Sequence, residues 1–193
     1  MPIQKPSKSE QTRQRILAAA TAEFATYGEA GSRIDSIAKT AKANKSLIYD
    51  YFGSKKQLFQ AVLERHLSDV YQDVHFDPAD LTGYATMLFD IAMDRPNLMR
   101  LVMWNGLEQN RAWPLDETSS FATQVTKIRE AQAAGGINKE YPPDFLLTLI
   151  ITLASAWTAA NPLGTSIVPD VAERRLSFRA ALAKAVSQLS QPD

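Results

Sequence analysis

The chain has 193 residues, 45% of them hydrophobic, which is enough to bury a real core in one large domain or in a small domain joined to a larger one. It has no cysteine, which excludes a disulfide framework and a thiolate metal site. The formal net charge of zero hides an asymmetry: residues 1–56 carry ten Lys and Arg against five Asp and Glu, and the remainder carries the opposite surplus. The first segment is therefore expected to meet a polyanion.

Residues 1–9 are basic and polar with no apolar run of the kind a signal peptide needs. They are expected to form a flexible arm on a cytoplasmic protein, with Lys5, Lys8 and Arg13 adding nonspecific contacts. The sequon Asn44-Lys45-Ser46 is then a chance match. Residues 10–27 predict an amphipathic helix with Ile16, Leu17, Ala20, Phe24 and Tyr27 on one face, ended by Gly28. Ser32, three residues before Asp35, suggests a capping box opening a short helix with Ile34, Ile37, Ala38 and Ala41 inward. Residues 42–45 then turn into a third short helix that buries Ile48 and Phe52 and leaves Lys45, Ser46, Leu47, Tyr49, Asp50 and Tyr51 partly outward. Three helices in about fifty residues, the last two joined by a short turn, match the helix-turn-helix plan.

A longer helix is expected from a Ser54 cap, with Leu58, Phe59, Val62, Leu63, His66, Leu67 and Val70 in one stripe. Further helices are predicted at 78–94, 96–108, 114–134, 143–160 and 170–189, the last two of the intervening breaks falling at Gly135-Gly136 and Asn161-Pro162. The 143–160 segment is apolar nearly all round but too short and too rich in Thr and Ser to span a membrane. Its successor repeats Val171, Phe178, Leu182, Ala185 and Leu189 on one face and leaves Arg174, Arg175 and Lys184 for water. Paired with the same two helices of a second chain, these would form a four-helix bundle, hence a homodimer through 143–160 and 170–189. The fold class is all-α, about nine helices: a three-helix DNA-binding domain over 10–53 and a larger helical domain over 54–193 for effector binding and dimerisation.

The run from Ile34 to Phe59 resembles the TetR family of bacterial repressors. The residues that carry the resemblance are Phe24 to Gly28, Ser32, Ile37-Ala38, Ile48-Tyr49-Asp50-Tyr51-Phe52, Ser54-Lys55 and Leu58-Phe59. It covers about residues 10–65. Where the family usually has Gly in the turn between its two helices, this chain has Lys42. A left-handed conformation there would cost a non-glycine residue roughly 1 kcal/mol; the other possibility is a slightly different turn.

The N-terminal residues of a helix laid in the major groove reach base edges, which makes Lys45, Ser46, Leu47 and Tyr49 the expected readers, with Arg33 as a second candidate. Ser32, Asn44, Tyr51 and Lys55 are placed for phosphate. The partner is expected to be a palindromic duplex read by a two-fold dimer. The apolar residues Met87, Phe89, Met93, Met99, Met103, Trp104, Trp113, Phe121 and Trp157 could line a pocket for a small apolar or amphipathic effector, as the resemblance implies. Met87, Met103, Trp104, Phe121 and Trp157 are its expected wall and Asn105 or Glu108 its polar anchors. The resemblance implies a repressor released by that effector; no cofactor and no membrane contact are expected.

An enzyme finds no G-x-S-x-G elbow, Walker loop or H-E-x-x-H, and two histidines are few for catalysis. His66, Asp69 and Asp73 share one helical stretch, but without a second histidine on that face a surface or interdomain role is expected, and no metal. The alternative function is a helical adaptor that uses its helix-turn-helix for protein contacts.

Overall fold

The computed structural model describes residues 7–108 and 121–192, and the side chains of all of these but 71–73. Residues 1–6, which hold Lys5, lie outside the description, as do Trp113 and the start of the helix expected from 114. Among the described residues there are ten α-helices, one 3-10 turn and no strand. They are α1 (Lys8–Gly31), α2 (Ile34–Ala41), α3 (Lys45–Phe52), α4 (Lys55–Asp73), the 3-10 turn Pro78–Asp80, α5 (Leu81–Asp94), α6 (Pro96–Leu107), α7 (Phe121–Ala133), α8 (Pro143–Ser155), α9 (Pro162–Ile167) and α10 (Arg175–Ser190). The chain divides into two compact units: the described residues up to Leu67 with 100–108, and 68–99 with 121–192.

In the first unit, Ser7 caps α1 by accepting from the Glu10 N–H, so the helix begins at Lys8, and Arg13 belongs to it rather than to a free arm. The apolar stripe steps by four through Ile16, Ala20 and Phe24 to Gly28, all of them buried. Gly28, rather than Tyr27, is the inward position at the end of the stripe, and Tyr27 is 54% exposed. Gly28 takes φ 68 and ψ −176, a region in practice reserved for glycine, and breaks the helix before a last turn to Gly31. A side chain there would also meet the Trp104 ring of α6, since an added Cβ would lie 2.7 Å from Trp104 Cε3. Phe24 meets Phe59 of α4 edge to face at 5.3 Å, both fully buried. Full burial of each such ring contributes about 1.5 to 3 kcal/mol. Ser54 caps α4 as expected, accepting from the Gln57 N–H at 3.1 Å. Half-buried His66 sits 3.1 Å from the Thr21 hydroxyl of α1.

The second unit is built on Tyr84, Ala85 and Phe89 of α5, Ile128 of α7, Leu146, Leu147 and Ile150 of α8, and Leu182 and Val186 of α10. Asp77 and Asp80 cap the 3-10 turn and α5 in succession. Buried Gln132 donates to the carbonyls of Asn138 and Tyr141, both at 2.9 Å, and so pins the segment that follows α7. That helix ends at Ala133, and Gly135, where the break was expected, follows with φ 80.

Two boundaries differ from expectation. Helix α8 stops at Ser155 instead of running to 160: Ser155 Oγ donates to the Ile151 carbonyl and Thr158 Oγ1 to the Ser155 carbonyl, competing with the helical ladder. Asn161 then caps a short α9 that periodicity did not reveal, accepting from the Leu163 and Gly164 N–H groups. Helix α10 begins at Arg175, five residues late, and Arg175 does not simply face water. It donates to Asp90 and Asp94 of α5, and Arg179 joins it on Asp90 at 2.8 Å. No helix among the described residues is long and apolar enough to cross a membrane.

Candidate nucleic-acid interface

Helix α2 is started by a residue outside its own stretch. Its N-cap is Arg33, which makes no side-chain cap bond. Glu23 of α1 acts instead: Oε1 accepts from the Arg33 N–H at 3.0 Å and Oε2 from the Ser36 hydroxyl at 2.7 Å. A carboxylate at this point both satisfies a backbone donor left open by the helix start and complements the positive end of the helix dipole. The capping box expected from Ser32 is therefore absent. Ser32 lies one residue too early; it is buried, and its hydroxyl donates to the Glu29 carbonyl at 2.8 Å. A surface concavity of about 430 Å³ opens beside this joint, lined by Glu23, Tyr27, Gly31, Arg33 and Ser36.

The turn keeps the left-handed geometry. Lys42 has φ 50 and ψ 47, and the Ala43 N–H reaches back to the Ala38 carbonyl at 3.0 Å, so α2 ends as a glycine would end it. Two residues on, Asn44 Oδ1 accepts from the Leu47 N–H at 2.7 Å and starts α3. Its carbonyl oxygen is thus engaged, and its NH2 is the group that remains to donate.

Helix α3 sits on Ile48 and Phe52, both buried, and turns Lys45, Ser46 and Tyr49 to solvent, with Leu47 half-buried beside them. Lys45, Ser46 and Leu47 lie in its first turn and Tyr49 one residue beyond it, at the N-terminal end, which is where base-reading residues of such a helix belong. Arg33 is exposed at the start of α2. Lys45 Nζ is bound to both oxygens of Asp35 of α2, at 2.8 and 2.9 Å. The hydrogen bond to Asp35, and then its charge, hold the Lys45 ammonium above its usual range.

The residues read as phosphate donors have protein partners. Tyr51 Oη lies 2.8 Å from Ser9 Oγ and donates to the Ser9 carbonyl at 3.3 Å, while the Arg13 guanidinium stands 5.4 Å over the Phe52 ring. Together they fasten the end of α3 to the first turns of α1. Lys55 Nζ donates to the carbonyls of Ala30 and Ser32, each at 3.3 Å, closing the frayed end of α1. Glu23 was missed by sequence reasoning and Asp35 was read only as the capping-box partner of Ser32, because their actual partners lie ten to thirteen residues away and no helical spacing links them.

The expected pocket residues fall in different units. Met103 and Trp104 lie on α6 in the first, where Trp104 backs Gly28, and Glu108 Oε1 accepts from the Ala30 N–H at 3.0 Å. Met87, Phe121 and Trp157 lie in the second. There Trp157 is packed edge-on against Phe89 and Phe178, at 6.2 and 4.9 Å.

Comparison with known proteins agrees with this geometry. Residues 16–62 match the model described as bacterial regulatory proteins, tetR family, and residues 80–188 match the tetracyclin repressor-like C-terminal domain. The HTH-type transcriptional repressor SCO4008 of Streptomyces coelicolor is 40% identical over 156 residues, 79% of this chain and 81% of that protein. The HTH-type transcriptional repressor NicS of Pseudomonas putida is 31% identical over 69% of this chain and 68% of its own length. Among solved structures, the transcriptional regulator SCO4942 of Streptomyces coelicolor superposes with a TM-score of 0.81 at 36% identity, over 94% of this chain and 99% of that one. A capped reading helix open at its first turn, carried on a chain matched over both its N-terminal and C-terminal parts, places this protein in the TetR family as a DNA-binding transcriptional regulator.

Proposed function

We propose that this regulator is a homodimeric repressor that reads a palindromic operator with α3 and is released by a small apolar or amphipathic effector. The observation that carries the reading is the open edge of α3, where Lys45, Ser46 and Tyr49 are exposed above a buried Ile48 and Phe52. Lys45 supplies an N–H to guanine O6 or N7, Ser46 a donor and acceptor, Leu47 an apolar contact for a thymine methyl, and Tyr49 a ring and hydroxyl. Arg33 is the second reader. The Asn44 amide, with Tyr51 and Lys55, faces phosphate, where Tyr51 and Lys55 act from positions already fixed by their bonds to Ser9, Ala30 and Ser32. Ser32, buried, belongs to the scaffold.

Dimerisation through the last helices is supported by apolar side chains left in solvent there: Phe145 on α8, Leu163 and Ile167 on α9 and Leu176 on α10. For the effector, half-buried Met87 and the Phe121 ring of the second unit offer adaptable apolar surface, whereas Trp104 and Trp157 serve packing. Repression is favoured by the names of the two relatives reported above, and the adaptor alternative finds no support among them.

Selection of duplexes from a random pool tests the reading. The unaltered chain should enrich a palindrome, and Lys45→Ala and Tyr49→Ala should each weaken that site by about 10- to 100-fold and relax its preference at different positions. Enrichment of the same site with undiminished strength by both variants would refute the assignment.

A further inference from the structure

The two helices of the helix-turn-helix are joined by an exposed ion pair. Lys45 opens α3 and Asp35 stands in the first turn of α2; the Lys45 ammonium lies within hydrogen-bond distance of both Asp35 oxygens. Their side chains are 52% and 77% exposed, so the pair is screened by water and holds little of the fold together. An acid in the first turn of a helix is favoured by the dipole with or without a lysine nearby. The lysine is therefore the feature that needs a reason.

What the pair changes is the face that Lys45 offers to DNA. An ammonium has three donors and one charge. A carboxylate that engages it with both oxygens offsets the charge and leaves fewer of its N–H groups to turn outward.

Phosphate and base edges make different demands on such a group. Binding to phosphate gains from net charge through release of counterions, and a neutral pair forfeits that gain. The guanine edge presents neutral acceptors, O6 and N7, for which one directed N–H suffices. Asp35 meanwhile adds an acceptor, which the N4 amino group of cytosine can satisfy and a phosphate repels.

We propose that Asp35 is a specificity-determining residue: coupled to Lys45, it forms a net-neutral donor and acceptor couple at the α2–α3 junction that rejects phosphate and reads a G·C-containing step in each half-site. The inference rests on Lys45 being a base reader and deepens that reading.

The test uses the full chain. A duplex selected by the unaltered protein and a scrambled duplex of the same composition are titrated across a range of salt with wild type, Asp35→Asn, Lys45→Gln and the double variant. Asp35→Asn should tighten the scrambled duplex roughly three- to tenfold and steepen its logarithmic salt dependence by about 0.9, as Lys45 gains a phosphate. The ratio of selected to scrambled affinity should fall at least about threefold, within the range that one base contact carries. Neither gain should appear when Asp35→Asn is made on the Lys45→Gln background.

An unchanged ratio overturns the proposal. So does an equal gain on the Lys45→Gln background, because Asp35 then acts as one surface charge among others. If Lys45→Gln alters neither affinity, the base-reading role of Lys45 has failed and the couple falls with it; if Lys45→Gln weakens the selected duplex while Asp35→Asn does nothing, only the couple has failed. Asp35→Ala, which favours a helix at this position, repeats the measurement should Asp35→Asn lower the melting temperature.

Discussion

Lys42 shows how much one side chain can be made to tolerate when its neighbours fix the backbone. Its φ of 50 is the only positive value at a non-glycine among the described residues, and it sits where the two helices of the reading head change direction. Replacing it with glycine removes the steric cost of that conformation but leaves a looser unfolded chain. Lys42→Gly is therefore expected to raise stability by a net of about 0.5 kcal/mol, measured by urea unfolding, and a loss would mean that no strain is stored there. At this scale the sequence was a good guide wherever burial follows a period. Ile48 and Phe52 inward, with Lys45, Ser46 and Tyr49 outward, came from helical spacing alone. Spacing is silent about which donors turn to backbone carbonyls. Ser32, Tyr51 and Lys55 were expected to face phosphate on the strength of their donor groups, and each has a backbone carbonyl as partner: those of Glu29, Ser9 and, for Lys55, both Ala30 and Ser32.

Among elements, the helices with clear punctuation were legible, and those ended by their own side chains were not. Gly28, Gly135 and the Ser54 cap mark real breaks because their chemistry is local. The end of α8 depends on whether the hydroxyls of Ser155 and Thr158 turn back to carbonyls or outward, which composition does not decide. The join of α5 to α10 is likewise a tertiary matter. Asp90 is pushed up by burial and pulled down further by Arg179 and Arg175, so that its carboxyl ends below the ordinary 3.8. Asp94 is lowered chiefly by its hydrogen bond from Arg175. Carboxyls held below their unfolded values add stability above those values and lose it as pH falls through the folded ones. Arg175→Gln should then cost about 1 kcal/mol at neutral pH, with solvent screening allowed for. The gap between variant and wild type should close as the pH drops below about 4, followed by thermal melts. A gap that stays constant to pH 2 would show that packing, not charge, joins the helices.

Along the sequence, the surplus of basic residues lies before position 57, and the three most exposed large apolar side chains among the described residues, Leu163, Ile167 and Leu176, lie near the other end of the chain. Ile167 is 78% and Leu176 83% exposed. If these bury against a second copy, the double variant Ile167→Glu with Leu176→Glu should sediment as a monomer and bind the selected palindrome about 100-fold more weakly, while each half-site alone is bound as before. Retention of the dimer would move the interface elsewhere. Family and architecture were legible from the sequence because both rest on motifs and periodic burial; whether an aromatic residue packs or lines a pocket was not, because the two patterns look the same at helical spacing. Trp104 against Gly28 and Trp157 between Phe89 and Phe178 have a practical corollary. Each compact unit carries one indole among its described residues, so in a Trp113→Phe background, removing one or other ring leaves a native emission signal that reports on the remaining unit by itself, without an added dye.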